Sequence, residues 1–293
     1  MKSLVFAAAG CAALLLAASL GAAPGASKAK VSSCSCVAFR LDDIQDYFLN
    51  HVQVEVMEVF DRRNVSLTVG VIGNYFGSDP MITNYVKGKA GDPLFEVANH
   101  GWDHENFAAL GRDEQSALVQ STNKKIFDLL GVRPEVFIAP YNLVNEDTFA
   151  AMQENGVRYI SANVTYDPPP YDIGGNPSFY RLPETALMGD LNDDTAWLTF
   201  ARGKVFTEIE DSLTLHGFAV VTMHPQDFAA RDMLVYQNMV DHGHAEELEM
   251  LLDRISEHDI KVVTINEINR HVVWEPEFYL QTQPRKETEL AGG

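Results

Sequence analysis

The chain has 293 residues, 46% of them hydrophobic, and a formal charge of −19. That length and apolar share suffice for one large core, close to the roughly 250 residues of a single α/β barrel. The acidic balance, with a sequence pI near 4.7, argues against nucleic acid or anionic lipid as partners, since both require a basic face.

The chain opens with Lys2, an uncharged apolar run from Leu4 to Leu20 and the small-residue stretch Gly21 to Ser27. Charge, apolar run and small residues in that order predict a secretory signal peptide with a short linker over 1–30. A membrane anchor is the alternative, but the run is Ala-rich and sits at the short end of the roughly 17–25 residues that span a bilayer. A secreted protein with no stable membrane insertion after cleavage is therefore expected. The sequons Asn64-Val-Ser66 and Asn163-Val-Thr165 fit export and glycosylation weakly. Cys11 lies in the leader, which leaves Cys34 and Cys36 as a local bridge, a link to another chain, or free thiols. The body has no disulfide framework and must be held by its core.

From Val37 onward, short apolar runs predict buried parallel strands at 37–41, 66–72, 94–98, 136–139, 158–161, 217–223 and 260–264. Helix-period segments between most of them predict helices at 46–63, 113–130, 145–155 and 245–258, the second stopped by Gly131 and Pro134. Strand alternating with helix predicts an α/β fold with a parallel sheet and right-handed crossovers, open or closed into a barrel. Three prolines and two glycines make 167–176 a long loop. One domain over 31–279 is expected, followed by a polar, disordered tail over 280–293.

Chemistry concentrates at the ends of these strands. Asp42 and Asp43 close the first strand, and adjacent carboxylates there suit the C-terminal rim of an α/β sheet, although an Asp pair can also cap a helix. After the third strand, Asn99-His-Gly-Trp-Asp-His104 places His100 and His104 four apart, a spacing that brings both rings to one side of a helical turn. Two solvated surface histidines are the ordinary alternative. His224 closes the strand that ends at Met223. One carboxylate with two imidazoles makes a three-ligand metal site with room for water. A second carboxylate would accept a proton from that water, and His224 would protonate a departing amine.

These motifs resemble the polysaccharide-deacetylase (NodB-like) family, carbohydrate esterase family four, from Val37 to about Ile265. Phe39-Arg-Leu-Asp-Asp43 matches the family's Thr-Phe-Asp-Asp-Gly. Asn99-His-Gly-Trp-Asp-His104 matches Asn-His-Ser/Thr-x-x-His, Ala139-Pro-Tyr141 the end of Arg-Pro-Pro-Tyr, and Val221-Thr-Met-His224 Leu-x-Leu-His. The resemblance implies a distorted (β/α) barrel, with Asp43, His100 and His104 holding a divalent metal, zinc by preference. It also implies Asp42 as general base, His224 as general acid and the Tyr141 backbone N–H at the oxyanion. The implied reaction is removal of acetyl groups from an acetylated polysaccharide or oligosaccharide, with N-acetylated amino sugars of a chitin-like glycan first and O-acetyl esters second.

Three positions depart from the family pattern: Ile44 replaces Gly, Gly101 replaces Ser or Thr, and Ile138 stands where the family has the arginine that orients the base. Arg40, two residues before Asp42 and on the same side of a strand, is the nearest substitute cation, unless it is only salt-bridged within the barrel. A non-catalytic carbohydrate-binding descendant and an iron(II) oxygenase built on a facial triad are the competing classes. Asp42 and His224 weigh against both. His242 and His244 beside Asp241 suit a helix start better than a second metal. Trp102, Tyr166, Tyr171 and Trp197 are candidates to stack on sugar rings.

Overall fold

The computed structural model describes residues 34–163, 171–172, 179–192 and 196–271. The predicted leader, residues 272–279 of the predicted domain, the whole predicted tail at 280–293, and Tyr166 lie outside them. A parallel sheet forms from β1 (Cys36–Ile44), β2 (Leu67–Val71), β3 (Phe95–Asn99), β4 (Val136–Ile138) and β5 (Tyr159–Ser161), side by side in chain order. On the other edge of β1 lies β11 (Ala219–Met223), and β14 (Lys261–Val263) pairs with the start of β1. All seven predicted strands are present.

The two outer edges of this curled sheet are joined by one stretch of chain. Its start, β7 (Tyr180–Arg181), pairs with β5, and its end, β8 (Ala186–Leu187), pairs with β11. A bridge between Asn163 and Glu184 lies between these pairings. The result is the distorted (β/α) barrel. Within the predicted loop at 167–176, Tyr171–Asp172 forms the short strand β6, antiparallel to β7, so that part of the loop is edge strand.

Helices cover the outside: α1 (Asn50–Arg63), α2 (Pro80–Lys89), α3 (Arg112–Leu130), α4 (Glu146–Glu154), α5 (Arg202–His216), α6 (His242–Glu257) and α7 (Ile265–His271). Their ends follow local chemistry. Asp79 caps α2 ahead of Pro80, Asn145 and Thr148 form a capping box on α4, and Gly131 and Gly217 close α3 and α5 in the left-handed region. The first helix starts later than predicted because the chain turns first: Tyr47 and Leu49 are left-handed, and Asp46 accepts from Gly77 and Ser78 N–H instead of opening a helix. α6 starts earlier than predicted because Asp241 accepts from the Gly243 and His244 N–H groups. α2, α5, α7 and the hairpins β9–β10 (Gly189–Asn192, Ala196–Thr199) and β12–β13 (Ala229–Asp232, Val235–Val240) carry no sequence period strong enough to announce them.

Strand alternation sorts the chain into two layers. Val37, Phe39 and Leu41 of β1, with Val221 and Met223 of β11, pack outward with Phe60, Ile209, Leu251 and Ile255 of the helices. Cys36 and Ala38 turn the other way and join Ala98, Val136, Ile138, Leu182 and Val220 inside the barrel. Arg40 and Asp42 continue that inner row, and Thr222 is the register partner of Arg40. An inner row that is apolar at its base and charged at its C-terminal end is how the barrel carries polar groups to its rim. Cys34 and Cys36 form a local disulfide at the entry to β1. Among the described residues no helix is long and apolar enough to cross a membrane.

Candidate metal centre

At the end of β1 the regular pairing with β2 breaks between Leu41 and Ile44, and Asp43 adopts φ 61°. This bulge re-aims one residue of an alternating strand, so the adjacent Asp42 and Asp43 both serve the same rim. The left-handed position falls on Asp43 rather than on the next residue. Ile44 is instead fully buried in the outer core, which accounts for its presence in place of Gly.

His100 follows β3 directly and is buried. Its Nδ1 lies 2.9 Å from the Ile138 carbonyl; a carbonyl only accepts, so Nδ1 carries the proton and Nε2 presents a lone pair. The next residue, Gly101, has φ +77°, and a Cβ there would meet Glu105 Oε2 at 2.9 Å and Pro140 Cγ at 3.1 Å. Glycine is required at this point, which explains the departure from Ser or Thr. Ile138, the third departure, is a fully buried inner-core residue whose carbonyl orients His100.

The segment from Gly101 to Asn106 is not the helical turn expected from the four-residue spacing. Glu105 accepts from the Trp102 and Asp103 N–H groups at 3.0 and 2.9 Å, and His104 sits at φ 60°. The two imidazoles still meet, with ring centroids 4.9 Å apart. Tyr141 and Asn142 are also left-handed, at φ 56° and 57°. Non-glycine residues in this region carry about 1–3 kcal/mol of strain each and gather at functional sites.

Asp43 Oδ1 lies 3.3 Å from both His100 Nε2 and His104 Nε2. Donor atoms of a tetrahedral zinc site with bonds near 2.0–2.2 Å are themselves about 3.3–3.5 Å apart. Neither contact has hydrogen-bond geometry, and Asp43 Oδ1 and His100 Nε2 are buried without a hydrogen-bond partner among the described residues. Orphaned, converging lone pairs at that spacing fit a divalent ion. Asp43, His100 and His104 are also the one such group of potential ligands among the described residues, so His242 and His244 form no second centre.

Charge agrees with this reading. Burial pushes the Asp43 carboxyl up, but the His100 ring, with His224 and His104, holds it below the usual carboxylate range. Burial lowers His100, yet the Asp43 and Asp42 carboxylates raise it above an ordinary histidine. Burial and the neighbouring His100 charge hold His104 down at about 4. The two shifts run in opposite directions, so a proton at the centre favours His100 over His104. An ion needs the Nε2 lone pair of His100, so its uptake competes with protonation there, releases protons and strengthens as pH rises. Calorimetric titration in buffers of different ionisation enthalpy should detect the release; uptake with none would contradict the His100 assignment.

His224 lies half-buried beyond β11, near enough for its charge to act on Asp43 and His104. Its backbone N–H donates to Asp227 Oδ2 at 2.7 Å. Trp197 lies edge-on to its ring at 4.9 Å and donates from Nε1 to Asp227 Oδ1. Trp197 is therefore held against His224 by its edge and its indole N–H. Trp102 packs over Gly73, with Lys125 Nζ 5.5 Å from its ring. Tyr141 is 62% exposed beside His104.

Arg40 has 0% exposure. Its Nη2 lies 3.2 Å from Asp42 Oδ2 and 3.0 Å from Glu184 Oε2. Sequence reading reached Arg40 through strand alternation. It missed Glu184, Asn142 and Asp227, which lie on short or irregular segments without period, and Ser161, a small polar residue at the end of the predicted strand β5.

Residues 29–160 match the family model described as polysaccharide deacetylase. The matched region carries the acid pair, His100, His104 and Tyr141. The whole fold is similar to a putative polysaccharide deacetylase from Mycobacterium smegmatis, at 19% identity over 88% of this chain and 94% of that one, TM-score 0.64. It is also similar to a family 4 acetyl xylan esterase from Clostridium thermocellum in complex with a cobalt ion, at 16% identity over 80% and 90%, TM-score 0.53. A CE4 family pseudoenzyme from Bacillus anthracis shares the fold at 16% identity, over 80% of this chain and 65% of that one, TM-score 0.53. No curated protein matches the chain.

Proposed function

We propose that the chain is a metal-dependent hydrolase that removes acetyl groups from a glycan. The observation that carries this reading is the convergence of three ligand atoms beside a separate buried carboxylate, Asp42, and a separate histidine, His224. A binding module has no use for those last two groups. A bound divalent ion, zinc by the preference of an Asp-His-His set, would polarise the acetyl carbonyl and make water acidic enough to attack.

The remaining steps fall to the chain. Asp42 Oδ2 faces Arg40, whereas Oδ1 is buried without a hydrogen-bond partner among the described residues. That open lone pair accepts the proton of the attacking water. His224 returns a proton to the departing nitrogen or oxygen. The Tyr141 N–H, on a left-handed turn beside His104, donates to the developing oxyanion.

The family and the exposed tyrosines at the rim, Tyr47, Tyr75 and Tyr141, support an acetylated saccharide as substrate, with N-acetylated amino sugars of a chitin-like polymer first. Structural relatives described as an acetyl xylan esterase and as a peptidoglycan N-acetylglucosamine deacetylase support the two acetyl chemistries, ester and amide. Residues 1–30 support export of the mature enzyme. Of the two sequons, Asn64 is exposed, whereas the Asn163 amide donates to Glu184 at 3.1 Å, so Asn64 is the glycan site favoured by access.

The purified protein should release acetate from at least one member of a panel of N- and O-acetylated glycans. A strong chelator should abolish that release and zinc should restore it. No acetate from any substrate by the zinc-loaded protein would overturn the proposal.

A further inference from the structure

Arg40 is the largest fully buried side chain among the described residues, and a buried guanidinium must be paired. Its Nη1 donates to Ser161 Oγ at 2.8 Å, and its Nη2 to Asn142 Oδ1 at 2.6 Å and Glu184 Oε2 at 3.0 Å. Glu184 is itself caged. Thr222 Oγ1 donates to its Oε2 at 2.6 Å, and the Asn142 and Asn163 amides donate to its Oε1 at 2.9 and 3.1 Å. Glu184 is thus a buried carboxylate that is neither a ligand of the centre nor the base.

An arginine beside one carboxylate tends to grip both oxygens in a two-pronged fork. Here Nη2 is divided between two carboxylates and touches only Oδ2 of Asp42, and Oδ1 remains open. We infer that Glu184 is a positioning residue: by drawing Arg40 toward itself it keeps the guanidinium on one oxygen of Asp42 and leaves the other free for the attacking water. This rests on Asp42 being the base of the proposed reaction. Removing the Glu184 charge would let Arg40 fold onto Asp42 and cover Oδ1.

The test is Glu184→Gln, which keeps shape and most hydrogen bonds, with Thr222→Val as a milder loosening of the same carboxylate. Three quantities are measured: kcat and KM on the best acetylated substrate, bound metal, and the Arg40–Asp42 geometry in a crystal structure of each variant. Glu184→Gln is expected to hold full metal and an unchanged KM while kcat falls roughly a hundredfold, the scale of an ångström misplacement of a reacting group. Thr222→Val is expected to lower kcat in the same direction by less. In the Glu184→Gln crystal, Arg40 is expected to contact both oxygens of Asp42.

Glu184 also lies on the bridge that joins the sheet edges, so a purely structural role would instead reduce stability with kcat intact in the folded fraction. That result, or an Asp42 still held through one oxygen in either variant, would overturn the inference. If Glu184→Gln does not fold, Thr222→Val decides alone by the same readouts. Failure of the deacetylase reading looks different: wild type releases no acetate, while the crystal comparison still answers whether Glu184 governs the Arg40 contact.

Discussion

His100→Ala is expected to abolish stoichiometric ion binding and reduce acetate release to background. A three-ligand site has no spare donor, and loss of only an outer partner of a ligand already weakens metal affinity about 10–100-fold. Loss of the imidazole itself should exceed that range. His100 is buried and tied to the Ile138 carbonyl, so alanine there also leaves a cavity and a freed acceptor. His104→Ala removes the second imidazole from a half-exposed loop position and separates lost ligation from lost packing. Both variants should bind no ion by elemental analysis after dialysis, with the far-UV spectrum of His104→Ala unchanged. Full occupancy in His104→Ala would refute the centre.

Asp42→Asn should have the opposite pattern, retaining the ion while losing about 10²- to 10⁴-fold in kcat, the usual contribution of a general base. The amide preserves the side-chain shape but cannot accept a proton from water. The fold should survive because Arg40 keeps Glu184 at 3.0 Å as a counter-charge, so the guanidinium is not left unpaired in the barrel. KM should move little, since a step confined to the transition state leaves ground-state binding intact. Loss of the ion in this variant would mean that Asp42, not Asp43, is the ligand.

Much of this protein was legible before any coordinates. Buried parallel strands read as unbroken apolar runs, so the strands from β1 to β5, with β11 and β14, could be located within three residues at each end, and strand alternation put Arg40 on the same face as Asp42. The chemistry-bearing residues were visible because they stand where those runs end, and strand ends in an α/β barrel share one rim. Helices with a clear helical period, α1, α3, α4 and α6, were legible too, whereas a cap on α2 and a glycine stop on α5 did not suffice alone. α5 and the hairpins were not, since their stability comes from packing against the barrel and leaves little trace in local period.

The sequence by itself determined the alternating α/β class with its parallel strands, the acid pair and the three histidines at or just beyond strand ends, because each rests on runs of a few neighbouring residues; closure into a barrel was implied only by the family resemblance. Only the tertiary structure decided how they meet. The spacing of His100 and His104 suggested a helical turn, whereas the fold brings the rings together through a left-handed loop braced by Glu105. Likewise, Arg40 reaches Glu184 across 144 residues of chain. Such a pairing has no periodic signature: it exists because the strands curl and the stretch from Tyr180 to Leu187 lies between β5 and β11, placing a carboxylate where a buried guanidinium needs one.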